Sequence, residues 1–151
     1  MSSMKPLRRV VLSAAGALAM GLIAPLRALA AWNREAFQSR TAADALRGLG
    51  VSASAESGDI AIEAPQIAEN GAVVPIEISS RLPNTKSIAL VIEKNPFPLA
   101  AMFDFADGAV PYVKVNVKLG ESSFVRVFAQ AGGRYYSAAK EIKVTIGGCG
   151  G

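Results

Sequence analysis

Short runs in which apolar and polar residues alternate constrain the fold of this chain more than any other feature. In Val113–Leu119 the apolar and polar side chains take turns at every position, which is the pattern of a strand that is buried on one face. Val125–Val127 and Ile142–Ile146 repeat the pattern over shorter spans. Because a helix would need a period of 3.6 residues, these segments are predicted to be β-strands.

Seven strands of this kind are predicted between residues 60 and 146, and turn sequences such as Glu69-Asn70-Gly71 and Gly132-Gly133 separate them. With no helical crossover between the strands, we predict a mainly β fold, an antiparallel immunoglobulin-like β-sandwich. The predicted strands are Ile60–Ala64, Val73–Ser80, Ser87–Glu93, Ala101–Phe105, Val113–Leu119, Phe124–Gln130 and Tyr135–Ile146. Their inward residues form the predicted core: Ile62, Val74, Ile76, Ile78, Leu90, Ile92, Val115, Val117, Val125, Val127 and Val144.

Residues 31–59 are predicted to form one N-terminal helix and a linker. From Asn33 to Leu49, apolar residues recur at the spacing of one helix face, which we assign to Phe37, Thr41, Ala42, Ala45, Leu46 and Leu49. Asn33 is a suitable N-cap, and Gly48 or Gly50 would end the helix. Ser52–Asp59 is small and polar, so it is predicted to be the linker.

Residues 1–30 are predicted to be an export signal. Basic residues precede the apolar stretch Val10–Ile23, and Ala28-Leu29-Ala30 offers the small residues that signal peptidase needs. The stretch is shorter than the roughly 20 residues that span a bilayer, so we expect no membrane segment after cleavage. Leu7-Arg8-Arg9-Val10-Val11-Leu12 resembles a twin-arginine signal. We therefore expect a periplasmic protein, exported by that route or by the ordinary secretory one.

Removal of residues 1–30 would change the charge of the protein. The whole chain has 16 Lys and Arg against 12 Asp and Glu, a net charge of +4. The first 30 residues contain four of the basic residues and none of the acidic ones, which leaves 16 − 4 = 12 basic against 12 acidic residues. A neutral domain without a basic patch has no electrostatic basis for nucleic-acid binding, which we exclude.

The chain has no His and one Cys, and this excludes several kinds of site. It cannot supply the imidazole or multi-thiolate ligand sets of the usual metal sites, so we expect neither a metal nor a cofactor. A Cys–His catalytic pair is impossible within the chain, and no phosphate-binding motif is present. We therefore predict that the protein is not an enzyme by itself.

The one cysteine, Cys149, stands in Gly147-Gly148-Cys149-Gly150-Gly151, directly after the last predicted strand. The four glycines leave the backbone almost unrestricted, so we predict that residues 147–151 form a flexible arm. Three extended residues would carry the sulfur roughly 10 Å beyond the sheet. Since an exposed thiol invites oxidation and cross-linking, its presence favours a functional role. Two such roles stay open: a carrier of a covalently bound substrate, and an exported structural subunit whose Cys149 only forms an intermolecular disulfide.

The pentapeptide Gly147–Gly151 is similar to the substrate-binding arm of the SoxY family, the sulfur-carrier subunits of the periplasmic thiosulfate-oxidising Sox system. The export signal, the helix with Ala36-Phe37 and Asp44-Ala45-Leu46, the β-domain and Asn95-Pro96-Phe97-Pro98 follow the order of that family. The resemblance implies that Cys149 holds the sulfur intermediate while a c-type cytochrome, a sulfate-releasing hydrolase and a sulfane-oxidising enzyme act on it in turn. It also implies a heterodimer with a small β-sandwich companion, the Z subunit.

The segment that begins at Asn95 is the second candidate site. Two prolines exclude a central strand, so the segment is predicted to be an edge or a loop. It is also unusually apolar, which is typical of a surface that binds a partner. A corner that covers the protein's own core fits the same residues equally well. The candidate partner interface consists of Pro96, Phe97, Pro98, Met102 and Phe103.

Overall fold

The structure is a computed structural model that describes residues 33–145. The predicted export signal (residues 1–30) and the predicted arm (residues 147–151) lie outside the described residues. The described helices are α1 (Arg34–Gln38) and α2 (Ala42–Gly48). The described strands are β1 (Ala55–Glu56), β2 (Ile60–Glu63), β3 (Ile67–Ala68), β4 (Val74–Ser80), β5 (Thr85–Ile92), β6 (Leu99–Asp104), β7 (Tyr112–Val117), β8 (Ser123–Ala131) and β9 (Arg134–Val144).

The prediction of one helix from Asn33 to Leu49 is wrong, because the segment forms two helices. The backbone is extended at Ser39, where ψ is 140°, and this ends α1. Thr41 was predicted to lie on the apolar face, but it is the exposed N-cap of α2 and accepts a hydrogen bond from the Asp44 N–H at 3.1 Å. A Thr side chain that satisfies a free N–H in this way favours a new helix start over continuation.

The two helices are held close together at their outer ends. Asn33 caps α1 as predicted, since its side chain accepts a hydrogen bond from the Ala36 N–H at 3.0 Å. The same side chain donates to the Gly48 carbonyl oxygen at 2.6 Å and so joins the start of α1 to the end of α2. A Cβ at Gly48 would lie only 3.1 Å from the Ala36 Cβ. A side chain at position 48 would therefore be crowded against Ala36, and glycine suits the close approach of the two helices.

The strands form two sheets, and the predicted mainly β fold is confirmed. The larger sheet has the order β1-β9-β8-β5-β6, with β3 also paired to β9, and the smaller sheet has the order β2-β4-β7. Each of the seven predicted strands overlaps an observed one. Two strands were not predicted, β1 and β3, which pair with β9 in the parallel direction. They have two residues each, which is too short for any alternation to be visible, and β1 lies within the predicted linker.

The main core lies between the two sheets and uses the inward positions of the alternating strands. Of the predicted core, Ile62, Val115 and Val144 are only partly buried, and the other residues are buried. Each full burial of an Ile or Leu side chain contributes about 1.5–3 kcal/mol. Seven further buried residues belong to this core: Ile60, Ala68, Ile88, Val113, Leu119, Ala129 and Ile142.

A second, smaller apolar cluster joins the helices to the outer face of the larger sheet. Ala36 and Ala45 of the helices are fully buried in it. The sheet contributes Ala89, Val91, Leu99 and Phe128. The molecule therefore has three layers: the helices, the larger sheet and the smaller sheet. Neither of the described helices has the length and apolar character needed to cross a membrane.

Candidate functional site

The base of the predicted arm is the part of the thiol site that the structure describes. Cys149 and the four glycines Gly147, Gly148, Gly150 and Gly151 lie outside the described residues. They follow strand β9 in the chain, and Thr145, directly after the strand, is the last residue that the structure describes.

On one side, the end of β9 is held by the short parallel strand β3. The Lys143 N–H donates to the Gln66 carbonyl oxygen at 3.0 Å, and the Thr145 N–H donates to the Ala68 carbonyl oxygen at 3.0 Å. In register, Ile67 lies opposite Lys143. These backbone hydrogen bonds continue one residue past the end of the strand, so they reach the last described residue before the arm.

On the other side, the Ser122 side chain extends the pairing of β9 beyond the start of β8. The Val144 N–H donates to Ser122 Oγ at 2.9 Å, and the Ser122 hydroxyl donates to the Val144 carbonyl oxygen at 3.4 Å. One hydroxyl thus satisfies both backbone groups of a residue that has no strand partner on this side. With β3 on the opposite edge, the base of the arm is hydrogen-bonded on both sides.

The loop that contains Gly71 packs directly against this base. The Leu119 N–H donates to the Gly71 carbonyl oxygen at 2.7 Å. A Cβ at Gly71 would overlap the Leu119 carbonyl oxygen and would lie 3.0 Å from Cγ1 of Val144. The absence of a side chain at this position is therefore what lets the loop close over the end of β9.

Ionisable groups form one hydrogen-bonded cluster on the outer face of the smaller sheet. Tyr112 donates its hydroxyl hydrogen to Glu77 Oε2 at 2.6 Å, and Lys114 Nζ donates to Glu77 Oε1 at 2.6 Å. The hydrogen bond from Lys114, followed by that from Tyr112, lowers the pKa of Glu77, and the Glu77 carboxylate raises the pKa of both donors. Across residues 33–145, no three His, Cys, Asp or Glu side chains are grouped so as to hold a metal ion.

The predicted partner interface is divided between surface and interior. Phe97 and Met102 are 44% and 39% exposed, and Pro96 is exposed as well. The Arg40 guanidinium carbon lies 4.3 Å from the centre of the Phe97 ring, a cation–π contact between the helix region and the segment before β6. These three residues of the predicted set are the ones that offer surface to a partner.

Pro98 and Phe103 contact the protein's own interior. Pro98 is fully buried, and its carbonyl oxygen accepts a hydrogen bond from the Ile92 N–H at 2.8 Å. Phe103 is partly buried and packs against the main core. Phe103 lies opposite Ile88, whose side chain is buried in that core. The segment is thus a corner that covers the core and also an exposed edge, as both interpretations of the sequence expected.

Strand β6 forms an open edge of the larger sheet. Among the strands that the structure describes, it pairs only with β5. The 2.8 Å hydrogen bond from the Phe105 N–H to the Lys86 carbonyl oxygen sets the alternation of the pairing. The backbone groups of Met102 and Asp104 consequently point away from β5. Asp104 is the one charged residue of the edge, and the edge contains neither a Lys nor a Pro, the residues that most often protect an edge from pairing with another chain. Pro96 and Pro98, which precede β6, are the sequence signal for this edge.

Two comparisons relate this fold and arm to one protein family. A sequence model of the family described as "Sulfur oxidation protein SoxY" matches residues 47–149, about two thirds of the chain, and the match extends to Cys149. The solved structure of the sulfur carrier protein SoxY from Chlorobium limicola f thiosulfatophilum is 34% identical. Its TM-score is 0.62, and the match covers 69% of this chain and 96% of that chain.

Other solved structures share the fold at lower identity. Superoxide reductase (neelaredoxin) from Ignicoccus hospitalis is 26% identical over 57% of this chain and 80% of that chain, with a TM-score of 0.51. A variant of that protein, at 24% identity, covers 70% of this chain and 90% of that chain with a TM-score of 0.52. A comparison with curated protein sequences found no match. From the family match and the SoxY structure, we conclude that this chain belongs to the SoxY family and that its role in sulfur oxidation is that of a sulfur carrier.

Proposed function

We propose that the chain carries the intermediates of thiosulfate oxidation covalently on the Cys149 thiol while partner enzymes act on them. The observation that carries the proposal is the anchoring of the chain just before the arm. Gly147–Gly151 follows a strand whose last described residues are hydrogen-bonded on both edges. A thiol set among glycines beyond such an anchored base can enter the active site of another protein while the domain stays folded. The family match that extends to Cys149 supports this role.

The proposed chemistry has two steps, an oxidative coupling and a hydrolysis, and the remaining sulfane sulfur is oxidised afterwards. A c-type cytochrome takes two electrons as the Cys149 sulfur joins the outer sulfur of thiosulfate, and the thiol proton is released. The product is an S-thiosulfonate. A hydrolase then adds water, the bond between the outer sulfur and the sulfonate group breaks, and sulfate and a proton leave. Cys149 retains one sulfane sulfur as a persulfide, on which a sulfane-oxidising enzyme acts. The thiolate is the reactive form of the cysteine, so the receiving enzyme has to favour its ionisation.

The proposed setting is the periplasm, reached with the help of the signal in residues 1–30. Export by the twin-arginine route would move the chain in the folded state, already bound to a companion. This companion, the Z subunit, is a small β-sandwich in the proposal, and it binds along the β6 edge. The open edge and the exposed Phe97 and Met102 support that location.

The substitution Cys149→Ser tests the carrier role. We expect the variant to keep its thermal unfolding temperature and its companion complex, and to lose thiosulfate-dependent turnover in the reconstituted system. The reason is that serine cannot form or hold the S–S bond. Turnover that survives in the variant would refute the proposal.

Intact mass under non-reducing conditions separates the carrier from the disulfide-linked structural subunit. Wild-type protein incubated with thiosulfate and the c-type cytochrome should gain about 112 Da as thiosulfonate, or multiples of about 32 Da as sulfane sulfur. A disulfide-linked dimer as the single product, with the enzymes present, would favour the structural role instead.

A further inference from the structure

Within residues 33–145, no helix covers the outer face of the larger sheet near the base of the arm. The helices cover Ala89, Val91, Leu99 and Phe128, which lie farther along the strands. Ile67 on β3 is 56% exposed, and Phe124 on β8 is 43% exposed. Large apolar side chains on a sheet face without a covering layer are typical of a surface that binds another protein.

These two side chains lie on either side of β9, close to its end. Ile67 lies opposite Lys143, and Phe124 lies opposite Glu141. Residues opposite each other in paired strands share a face, and Ile142 between the two charged residues is buried toward the core. Ile67, Phe124, Glu141 and Lys143 therefore all lie on the outer face, and we name these four residues the arm-base patch.

The length of the arm decides what can cover this patch. Cys149 is four residues beyond Thr145, so its Cα can be at most about 14 Å from that of Thr145. Along β9, Lys143 lies about 7 Å and Glu141 about 14 Å from Thr145, and the neighbouring strands lie about 5 Å to either side. When an enzyme takes the thiol into a channel, most of the length of the arm lies inside that channel. The rim of that channel must then rest on the surface around Thr145.

The charges of the patch indicate the character of that rim. Glu141 and Lys143 are two residues apart on one face and balance each other. The Arg126 guanidinium lies 5.9 Å from the centre of the Phe124 ring and is itself paired with Glu93. The surface is thus apolar at its flanks and neutral overall, so it fits an apolar rim better than a strongly charged one.

We propose that the arm-base patch is the docking surface for the enzymes that receive Cys149, and that these enzymes surround their channels with an apolar rim. The proposal rests on the carrier function proposed above. The companion subunit is proposed to bind at the β6 edge. This edge lies three strands from β9 in the sheet order β9-β8-β5-β6. Neighbouring strands lie about 4.8 Å apart. A companion that stays bound at the β6 edge therefore leaves the base of the arm accessible to one enzyme after another.

The double variant Ile67→Thr, Phe124→Thr tests the proposal, because Thr shortens both apolar side chains and keeps the β-propensity of the strands. The substrate is the full chain in its companion complex, loaded with thiosulfate by the cognate c-type cytochrome. The assay measures sulfate release by the cognate hydrolase. We expect the KM for the loaded carrier to rise about tenfold or more, with kcat changed less than about twofold, since the contacts are made on binding.

Val110→Thr is the matched control. Val110 is 79% exposed and comes just before β7, whose Tyr112 pairs with Ser79 at the end of the sandwich opposite to the arm. We expect this variant to keep the wild-type KM. An unchanged KM in the double variant, or an equal rise in the control, would overturn the docking patch.

Two further measurements separate this proposal from the carrier function. The rate at which iodoacetamide alkylates Cys149 should be the same in all variants, because it reports the thiol without docking. Loss of the companion complex in the double variant would assign the patch to the companion and overturn the docking proposal. Turnover retained by Cys149→Ser would instead refute the carrier function itself.

Discussion

At the residue scale, Gly71 occupies a position that has no space for a Cβ atom. Its carbonyl oxygen binds the Leu119 N–H, and its Cα faces the Val144 side chain at the end of β9. A methyl group there would meet a backbone oxygen, which cannot rotate away as a side chain can. One residue thus determines whether the loop after β3 can close over the base of the arm.

We predict that Gly71→Ala lowers the free energy of unfolding by about 2 kcal/mol or more, because the backbone must shift to relieve the overlap. Urea denaturation monitored by circular dichroism measures this change. Gly58→Ala is the matched control, since no atom lies within 4 Å of the added Cβ. The control should change stability by less than about 0.5 kcal/mol. Equal effects of the two substitutions would contradict the steric explanation.

Glu77 makes stability depend on pH in a direction that its hydrogen bonds determine. Lys114 and then Tyr112 lower its pKa from the ordinary value of 4.5 in the folded protein. A lowered folded-state pKa stabilises the protein above the unfolded-state value, and this stabilisation is lost as the pH falls through the folded-state pKa. Because the cluster is exposed to solvent, screening keeps the effect small.

We therefore expect Glu77→Gln to lower the thermal unfolding temperature slightly at pH 7. The difference from wild type should shrink and vanish as the pH is brought well below 4.5. Differential scanning calorimetry over a pH series measures it. A difference that stays constant down to the lowest pH would show that hydrogen bonding alone, without the charge, is responsible.

At the scale of elements, the two edges of the larger sheet differ in how their backbone groups are paired. The β9 edge is covered by β1 and β3, which pair with its two ends. Among the described strands, β6 pairs only with β5, and Asp104 is the one charged residue within Leu99–Asp104. An apolar open edge next to a covered one favours strand pairing or close packing with a partner on the β6 side.

We predict that Met102→Lys weakens the companion complex at least about tenfold, because a long charged side chain guards an edge against another chain. Fold stability should change little, since Met102 is exposed. Isothermal titration calorimetry with the purified companion measures the affinity. Val73→Lys is the control, at an exposed position in the loop before β4 of the smaller sheet. If both variants bind with wild-type affinity, the companion uses another surface.

At the scale of the whole molecule, the three layers place two candidate surfaces apart. The helices cover the middle of the outer face and leave the arm-base patch open. The β6 edge lies on the other side of β8 and β5. A carrier built in this way can keep one partner bound while other proteins approach the arm, which is what a covalent relay requires.

The helix region illustrates where prediction from sequence failed. The apolar spacing from Asn33 to Leu49 fits one helix and also fits two helices that share a face. Thr41 and Asp44 form a capping pair whose pattern is visible in the sequence. The periodicity was nevertheless the stronger local signal. The Thr41 cap begins the second helix, and the break before it lets Ala36 and Ala45 both reach the same cluster on the sheet.

The sequence by itself determined the mainly β fold, the seven principal strands and the position of the thiol after the last of them. Alternation, turn residues and a unique cysteine are properties of neighbouring residues, so they can be seen without coordinates. Only the tertiary structure decided how β9 is anchored by β3 and by Ser122, and which face of the sheet stays open. Those features depend on contacts between residues far apart in the chain. No local pattern encodes them.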